Sequence, residues 1–281
     1  MWLCPKCHQP LDLSLATPAC CEGHCYDRAK QGYLNLLLAN KKHSRNPGDN
    51  EAMVTARQNF LREEFYAPLV ETLEAEIVAA TGNVEALRLV DVGCGEGYYL
   101  ENMLRRLSCS EKSEAFGIDI SKAAIRRAAV SAKRKELSNL HYAVANSYEI
   151  PLPDNSANVV LNIFAPYSPD DVKRVLKRGA TLIRVSPGPR HLFQLKAAIY
   201  DSVNLHQPPP PDPGYELVAT QQLDFVVALS GRDHIENLLA MTPFNWHGHT
   251  EAKEAILENA LLDIEASFFI QRLCVSGGPC E

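Results

Sequence analysis

The stretch from Arg88 to Leu100, R-L-V-D-V-G-C-G-E-G-Y-Y-L, limits the possible folds more than any other part of the chain. The apolar, β-branched run Leu87 to Val92 predicts a strand, Gly93-Cys94-Gly95-Glu96-Gly97 a tight turn, and Tyr98 to Arg106 a helix. Strand, glycine turn and helix in that order form a ligand-binding crossover in an α/β sheet. A side chain at Gly93 or Gly95 would hold a ligand away from the backbone N–H groups and from the positive helix end. No Lys-Ser/Thr closes the turn as a P-loop requires, and the spacing is D-x-G-x-G-x-G rather than the dinucleotide G-x-G-x-x-G. Asp91 and Glu96 would repel a pyrophosphate and suit a cationic ligand. A second predicted strand, Ala115 to Ile118, ends at Asp119, where a carboxylate can take both hydroxyls of a ribose.

Asp91 to Gly97 followed by Asp119 resembles motif I and the acidic residue of S-adenosylmethionine-dependent methyltransferases. An ordinary βα connection would explain a glycine turn alone, but not the carboxylate at the end of the next strand. The chain, of 281 residues, can bury one large core and carry a small accessory module. No run approaches the roughly 18 apolar residues of a membrane span, and no basic-then-apolar leader opens the sequence, so a cytoplasmic protein with no membrane partner is expected.

In that compartment the nine cysteines should be reduced, and clustered ones are read first as metal ligands. Cys4-Pro5-Lys6-Cys7 is a C-x-x-C knuckle, and Cys20-Cys21-Glu22-Gly23-His24-Cys25 follows a short polar hairpin. Two close pairs brought together this way suit tetrahedral, structural zinc. Cys4, Cys7, Cys20 and His24 form the best quartet; Cys21 can replace Cys20, and Cys25 or His8 can replace His24. So small a segment has no core of its own, so metal binding would supply its folding energy. The run Tyr26 to Leu37 interleaves aromatics with cations, which suits base stacking and phosphate contact, or else simple packing of the module.

Net charge is −6, unevenly spread. Residues 201–281 hold three Lys/Arg against twelve Asp/Glu, whereas 173–196 holds seven cations and no acid, and 105–135 nine against three. Such a distribution allows a polyanion to bind one face, because the local field governs encounter; solvated helix faces are the alternative. Residues 1–38 read as a zinc module, 39–84 as a polar linker with lead-in helices, and 85–281 as the main domain. Asp49 or Asn50 is expected to cap a helix through Leu61, a second helix to run from about Tyr66 to Ala80, and Ser121 to cap a basic helix to about Lys135. A strand at His141 to Ala145 delivers Asn146 to the place of an adenine. Another, Ala157 to Phe164, ends in Ala165-Pro166-Tyr167, half of an Asn-Pro-Pro-Tyr motif. Helix 170–178, strand Thr181 to Val185 and the turn Ser186 to His191 follow. A stiff excursion, Pro208 to Pro211, has no assigned role. Strand 215–229, helices from about Arg232 to Met241 and over 250–261, strand 264–273 and a frayed tail from Ser276 complete the chain.

Five runs together resemble the bacterial RlmA family of 23S rRNA (guanine-N1)-methyltransferases. They are C-P-x-C-H-Q-P-L at Cys4 to Leu11, Y-D-x-A-K-x-G-Y-x-N-L-L at Tyr26 to Leu37, the glycine turn, P-G-P-R-H-L at Pro187 to Leu192, and M-T-P-F-x-W at Met241 to Trp246. The resemblance implies a seven-stranded Rossmann-like class I methyltransferase with a small N-terminal zinc-binding domain. It implies S-adenosylmethionine as cosubstrate, an rRNA hairpin as partner, and two subunits forming an RNA cleft. It selects Cys4, Cys7, Cys20 and His24 for zinc, and Tyr66, Gly95, Glu96 and His191 for the cosubstrate. Arg190 is the candidate contact for guanine O6 or a phosphate, and Tyr167 for base stacking. A small-molecule methyltransferase, or an RNA-binding module with an inert fold, are the rival readings.

Overall fold

The computed structural model describes residues 1–41, 47–82, 85–107, 112–242, 250–258 and 261–276. Most of the basic linker, the run from Pro243 to His249 and the tail beyond Ser276 lie outside the described residues.

The strands are β1 (Leu34–Asn35), β2 (Arg88–Val92), β3 (Glu114–Asp119), β4 (Leu140–Val144), β5 (Ala157–Ile163), β6 (Leu176–Pro187), β7 (Tyr215–Ser230) and β8 (Leu261–Val275). They form one sheet in the order β1-β4-β3-β2-β5-β6-β8-β7. The first six positions pair in parallel, and β8 runs antiparallel between β6 and β7. The Rossmann-like sheet thus has eight strands rather than the expected seven. The extra one is the two-residue β1, which aligns Leu34 with Ala143 and Asn35 with Val144. Too short to carry strand periodicity, it lies in what reads as the zinc module.

The helices are α1 (Glu51–Arg62), α2 (Ala67–Thr81), α3 (Tyr98–Arg106), α4 (Lys122–Arg134), α5 (Pro169–Val175), α6 (Phe193–Ile199), α7 (Arg232–Ala240) and α8 (Thr250–Leu257). The caps behave as expected: the Asn50 and Ser121 side chains accept from the Met53 and Ala124 amides. Two expectations need correction. The helix read to 178 ends at Val175, because β6 already begins at Leu176 and pairs it with Ala157, before the ladder shifts and resumes at Val159 and Thr181. Lys177 and Arg178 therefore extend from a strand, with Gly179 turning the backbone through φ +76°. Cys274 on β8 is disulfide-bonded rather than reduced.

A parallel sheet must be covered on both faces. One face carries Phe60, Leu69, Leu73, Leu100, Ile125, Leu195 and Ile235 from six helices. On the other, the connection from β4 to β5 holds no helix, and among the described residues α5 alone supplies one. The strip over Val90, Val92, Phe116 and Ile118 is covered instead by Trp2, Leu11, Tyr26, Leu34 and Leu36. Trp2 meets Phe116 edge-on at 5.2 Å, and the Leu3 amide donates to the Pro151 carbonyl at 2.9 Å. Each such buried side chain contributes on the order of 2 kcal/mol. The N-terminal segment, too small to fold on itself, uses the sheet's core as its own.

Candidate functional site

In the N-terminal segment the backbone brings two knuckles together. His8 donates its amide to the Cys4 carbonyl at 2.8 Å, and Gly23, at φ +75°, donates to Cys20 at 2.9 Å. The ligand atoms of Cys4, Cys7, Cys20 and His24 then lie within 4.8 Å of one another. Cys20 Sγ is 3.4 Å from His24 Nδ1, Cys4 Sγ is 3.6 Å from it, and Cys7 Sγ is 3.6 Å from Cys20 Sγ. Zinc bonds of about 2.3 Å to sulfur and about 2.0 Å to nitrogen put tetrahedral ligands at roughly these separations. Three thiols and an imidazole fit structural zinc, with no position left for a substrate. Cys21 and Cys25 are exposed, directed at Glu22 and the Gly23 carbonyl, so Cys20 and His24 are the members the geometry selects. Tyr26 and Tyr33 are buried, Tyr26 with its hydroxyl 2.9 Å from Cys4 Sγ. These tyrosines are packing residues, unlike the exposed Arg28 and Lys30 between them.

The glycine turn leaves β2 and enters α3 as predicted. Gly93, Gly95 and Gly97 all have positive φ, but for different reasons. A Cβ on Gly93 would stand 2.2 Å from that of Ala165, and one on Gly97 2.3 Å from Tyr142 Oη, so internal packing requires these two. A Cβ on Gly95 would meet nothing nearer than Arg57 Nη1 at 3.8 Å, so Gly95 faces open space. Asp119 accepts from the Gly95 amide at 2.9 Å and the Ser121 amide at 2.7 Å, which fixes its carboxylate at the mouth of the turn. Glu96 is buried and accepts from Gln58 Nε2 at 3.1 Å. Gln58 in turn accepts from Arg127 at 2.9 Å, and Ser121 Oγ donates to the Asp49 carbonyl at 2.6 Å. Through these bonds α1 roofs the crevice. Sequence reading missed Gln58, although a polar residue at i+4 from Val54 and i−3 from Leu61, inside the buried stripe, was the available sign. It also expected only carboxylates here, whereas Arg57 stands beside Gly95, paired with Asp49.

Burial, with help from the Asp119 charge, pushes the Asp91 carboxyl up to about 8, and Asp91 Oδ1 has no hydrogen-bond partner. Burial also raises Asp119 and Glu96. Three carboxyl groups in one crevice, Asp91 and Glu96 buried and one oxygen of Asp91 unmet, disfavour anions and gain from a cation. From 3.8 to about 8 the folded chain holds a proton at Asp91 that the unfolded chain has lost, so stability without ligand falls as pH rises through that window. A bound cation reverses this by expelling the proton. Titration calorimetry with S-adenosylmethionine at pH 7, in buffers of different ionisation heat, should therefore show proton release that fades above about pH 9. Binding with no proton release at pH 7 contradicts this account.

His191 lies in an aromatic nest with Tyr66 at 6.3 Å, Phe164 at 5.5 Å and Phe268 at 4.9 Å between ring centroids. Its Nδ1 accepts from the Ser267 amide at 3.3 Å, so Nε2 carries the hydrogen, and burial holds the ring neutral by pushing it down to about 3. His191 is therefore a donor and not a general base. The Tyr66 hydroxyl is buried without a partner. Asn146 turns its side chain back to accept from the Tyr148 amide at 3.1 Å. The Tyr167 hydroxyl is bonded to Asp212, and Arg190 lies on Glu265 at 2.6 Å with its guanidinium 3.9 Å above Phe193. Phe164, whose role was also missed, directly follows β5 with φ +57° and is 44 % exposed, its ring beside His191.

Comparison with known families gives two matches: the family described as RlmA, N-terminal, over residues 2–45, and the methyltransferase domain over residues 89–185. The chain is 34% identical to a 23S rRNA (guanine(748)-N(1))-methyltransferase of Streptomyces fradiae, over 87% of this chain and 85% of that one. It is 29% identical to a Micromonospora griseorubida protein provisionally named a 23S rRNA (guanine-N(1)-)-methyltransferase, over 87% and 86% of the two chains. A similarly named protein of Bacillus subtilis is 30% identical over 71% and 69%.

Proposed function

Because the chain belongs to the family of 23S rRNA (guanine-N1)-methyltransferases, we propose that it methylates N1 of a guanine in a 23S rRNA hairpin loop, using S-adenosylmethionine. The observation that carries this reading is the join of a four-ligand zinc ribbon to a methyltransferase sheet whose crevice favours a cation. The cosubstrate supplies a methyl group from a sulfonium, and the protein's task is alignment and charge.

In this reading Gly95 lets the cosubstrate approach the turn, Asp119 takes the ribose hydroxyls, and Asp91 and Glu96 oppose the positive charge. Gly93 and Gly97 hold the turn in shape, Tyr66 and His191 close the crevice from the nest, and Asn146 borders the adenine. Because N1 lies on the pairing edge, the guanine must be unpaired. Phe164 offers it an exposed aromatic face beside the His191 N–H donor, which would stabilise charge developing at O6 as the N1 proton passes to solvent water and the methyl group leaves the sulfonium. Arg190 keeps one exposed side for a phosphate. Arg28 and Lys30 of the ribbon and Lys133 and Arg134 of α4 line adjoining hollows and are exposed, a basic strip suited to the hairpin's backbone.

Pairing of two subunits is supported by β7, a 16-residue strand at the edge of the described sheet with Leu217, Val218 and Val226 exposed, next to Leu261 at 63 %. A light-scattering mass of one chain contradicts that pairing. Among the described residues no helix is long and apolar enough to cross a membrane, and an rRNA-modifying enzyme belongs in the cytoplasm. Incubation with 23S rRNA and methyl-labelled S-adenosylmethionine should label the RNA and place a reverse-transcription stop at one guanine. Label absent from RNA but present on a small molecule replaces this reading with its rival.

A further inference from the structure

The cosubstrate carries three charged groups: a sulfonium, an ammonium and the carboxylate of its amino-acid end. Asp91, Glu96 and Asp119 suit the two cations and the ribose, but they repel the carboxylate. A carboxylate taken out of water needs a cation or several N–H donors beside it. Gly95 is buried, yet the space before its Cα is open. Among the described residues, chain neighbours aside, the one atom within 4 Å of a Cβ placed there is Arg57 Nη1, at 3.8 Å.

Arg57 belongs to α1, one residue before Gln58. Burial raises both the Asp119 carboxyl and the Tyr99 hydroxyl, and the Arg57 charge opposes the rise in each, so the guanidinium faces the turn. Asp49 pairs with its Nη1, and the Met241 carbonyl accepts from its Nη2 at 3.2 Å. Asp49 is itself fixed. Its carbonyl accepts from Ser121 Oγ at 2.6 Å, and a Cβ on the preceding Gly48, at φ +77°, would stand 2.9 Å from the Ile120 side chain. The guanidinium is therefore set in place before any ligand arrives. Asp49 and Met241 use two of its five N–H bonds, and the other three have no partner among the described residues. Arg127, a second cation against α1, instead spends its guanidinium on Gln58 at 2.9 Å and Thr55 at 2.6 Å.

We propose that Arg57, held over Gly95 by Asp49 and the Met241 carbonyl, binds the amino-acid carboxylate of S-adenosylmethionine through the N–H groups these partners leave free. This rests on the cosubstrate reading above and assigns one end of that molecule. The carboxyl groups of the crevice then select for positive charge at the sulfonium, while Arg57 selects for a complete amino-acid end. A planar fork of donors matches a carboxylate, so the contact orients the chain that carries the methyl group as well as holding it.

The test is titration calorimetry of the zinc-loaded full chain with three ligands. They are S-adenosylmethionine, its decarboxylated form, which keeps the sulfonium and the ammonium, and S-adenosylhomocysteine, which keeps the carboxylate and lacks the sulfonium. Arg57→Gln, whose amide can still donate to Met241, should weaken the two carboxylate ligands about tenfold or more. The decarboxylated ligand should bind as before or slightly tighter, because a like charge has been removed. Arg57→Lys, which keeps the charge and loses the fork, should fall between wild type and Arg57→Gln. Each comparison is made between ligands on one variant, so a loss of folded protein cancels. Equal weakening of all three ligands, the result of a residue that only holds α1 against α7, overturns the proposal, as does an unchanged affinity for S-adenosylmethionine. Wild-type protein that binds none of the three would instead overturn the cosubstrate reading.

Discussion

Cys4→Ser should leave the purified protein with well under one zinc per chain and lower its melting temperature by about 10 °C or more. Cys4 is fully buried, and its thiol faces His24 and the Tyr26 hydroxyl, so a hydroxyl in its place removes a ligand and strands a buried polar group. The effect should reach beyond the ribbon, because Trp2, Leu11, Tyr26 and Leu36 share a core with Val90 and Phe116 of the central strands. RNA affinity should fall with the metal. Cys25→Ser, at an exposed thiol outside the quartet, serves as the control and should change neither zinc nor melting. Metal analysis and calorimetric melting of the two variants decide the matter, and full zinc in Cys4→Ser would refute the ligand assignment.

The second large effect separates binding from folding within one turn. Gly95→Arg should abolish S-adenosylmethionine binding while zinc content and melting stay near those of the parent. Its Cβ meets nothing closer than 3.8 Å, and φ of +55° is a left-handed region that other residues tolerate at about 1 kcal/mol. Gly97→Ala adds a single methyl group yet should cost about 2–4 kcal/mol of stability, since that methyl would lie 2.3 Å from Tyr142 Oη at φ +87°. Titration calorimetry and thermal melting should rank the two variants oppositely. A Gly95→Arg protein that still binds the cosubstrate would remove the turn from the site.

Regular elements of the main domain were legible because each carries a local sign. The turn of Gly93 to Gly97, the caps Asn50 and Ser121, and the continuous apolar runs of β2 to β5 depend on local signals that the residues carry. What escaped depends on partners distant in the chain. Leu34 and Asn35 are a strand only because β4 offers them an edge, and α6 is opened by Leu192 in a left-handed conformation without any capping side chain. The site divides in the same way. Cysteine spacing announced the metal ligands, and a carboxylate at a strand end announced Asp119. Gln58 reaches Glu96 across 38 positions, and Arg57 reaches Met241 across 184, so neither pairing leaves a short motif. Tyr26 and Tyr33 stayed open between stacking and packing because composition cannot tell an aromatic facing water from one facing a sheet; both pack.

The ribbon's place over the bare face of the sheet ties the enzyme's abundance to the cell's zinc supply. Residues 2–36 emerge from the ribosome before any of the strands they cover, and among the described residues α5 is the one helix on that side. A cell short of the metal would lose the catalytic body to proteases along with the RNA grip, and the ribbon could not be excised and grafted onto another enzyme as a portable RNA tag.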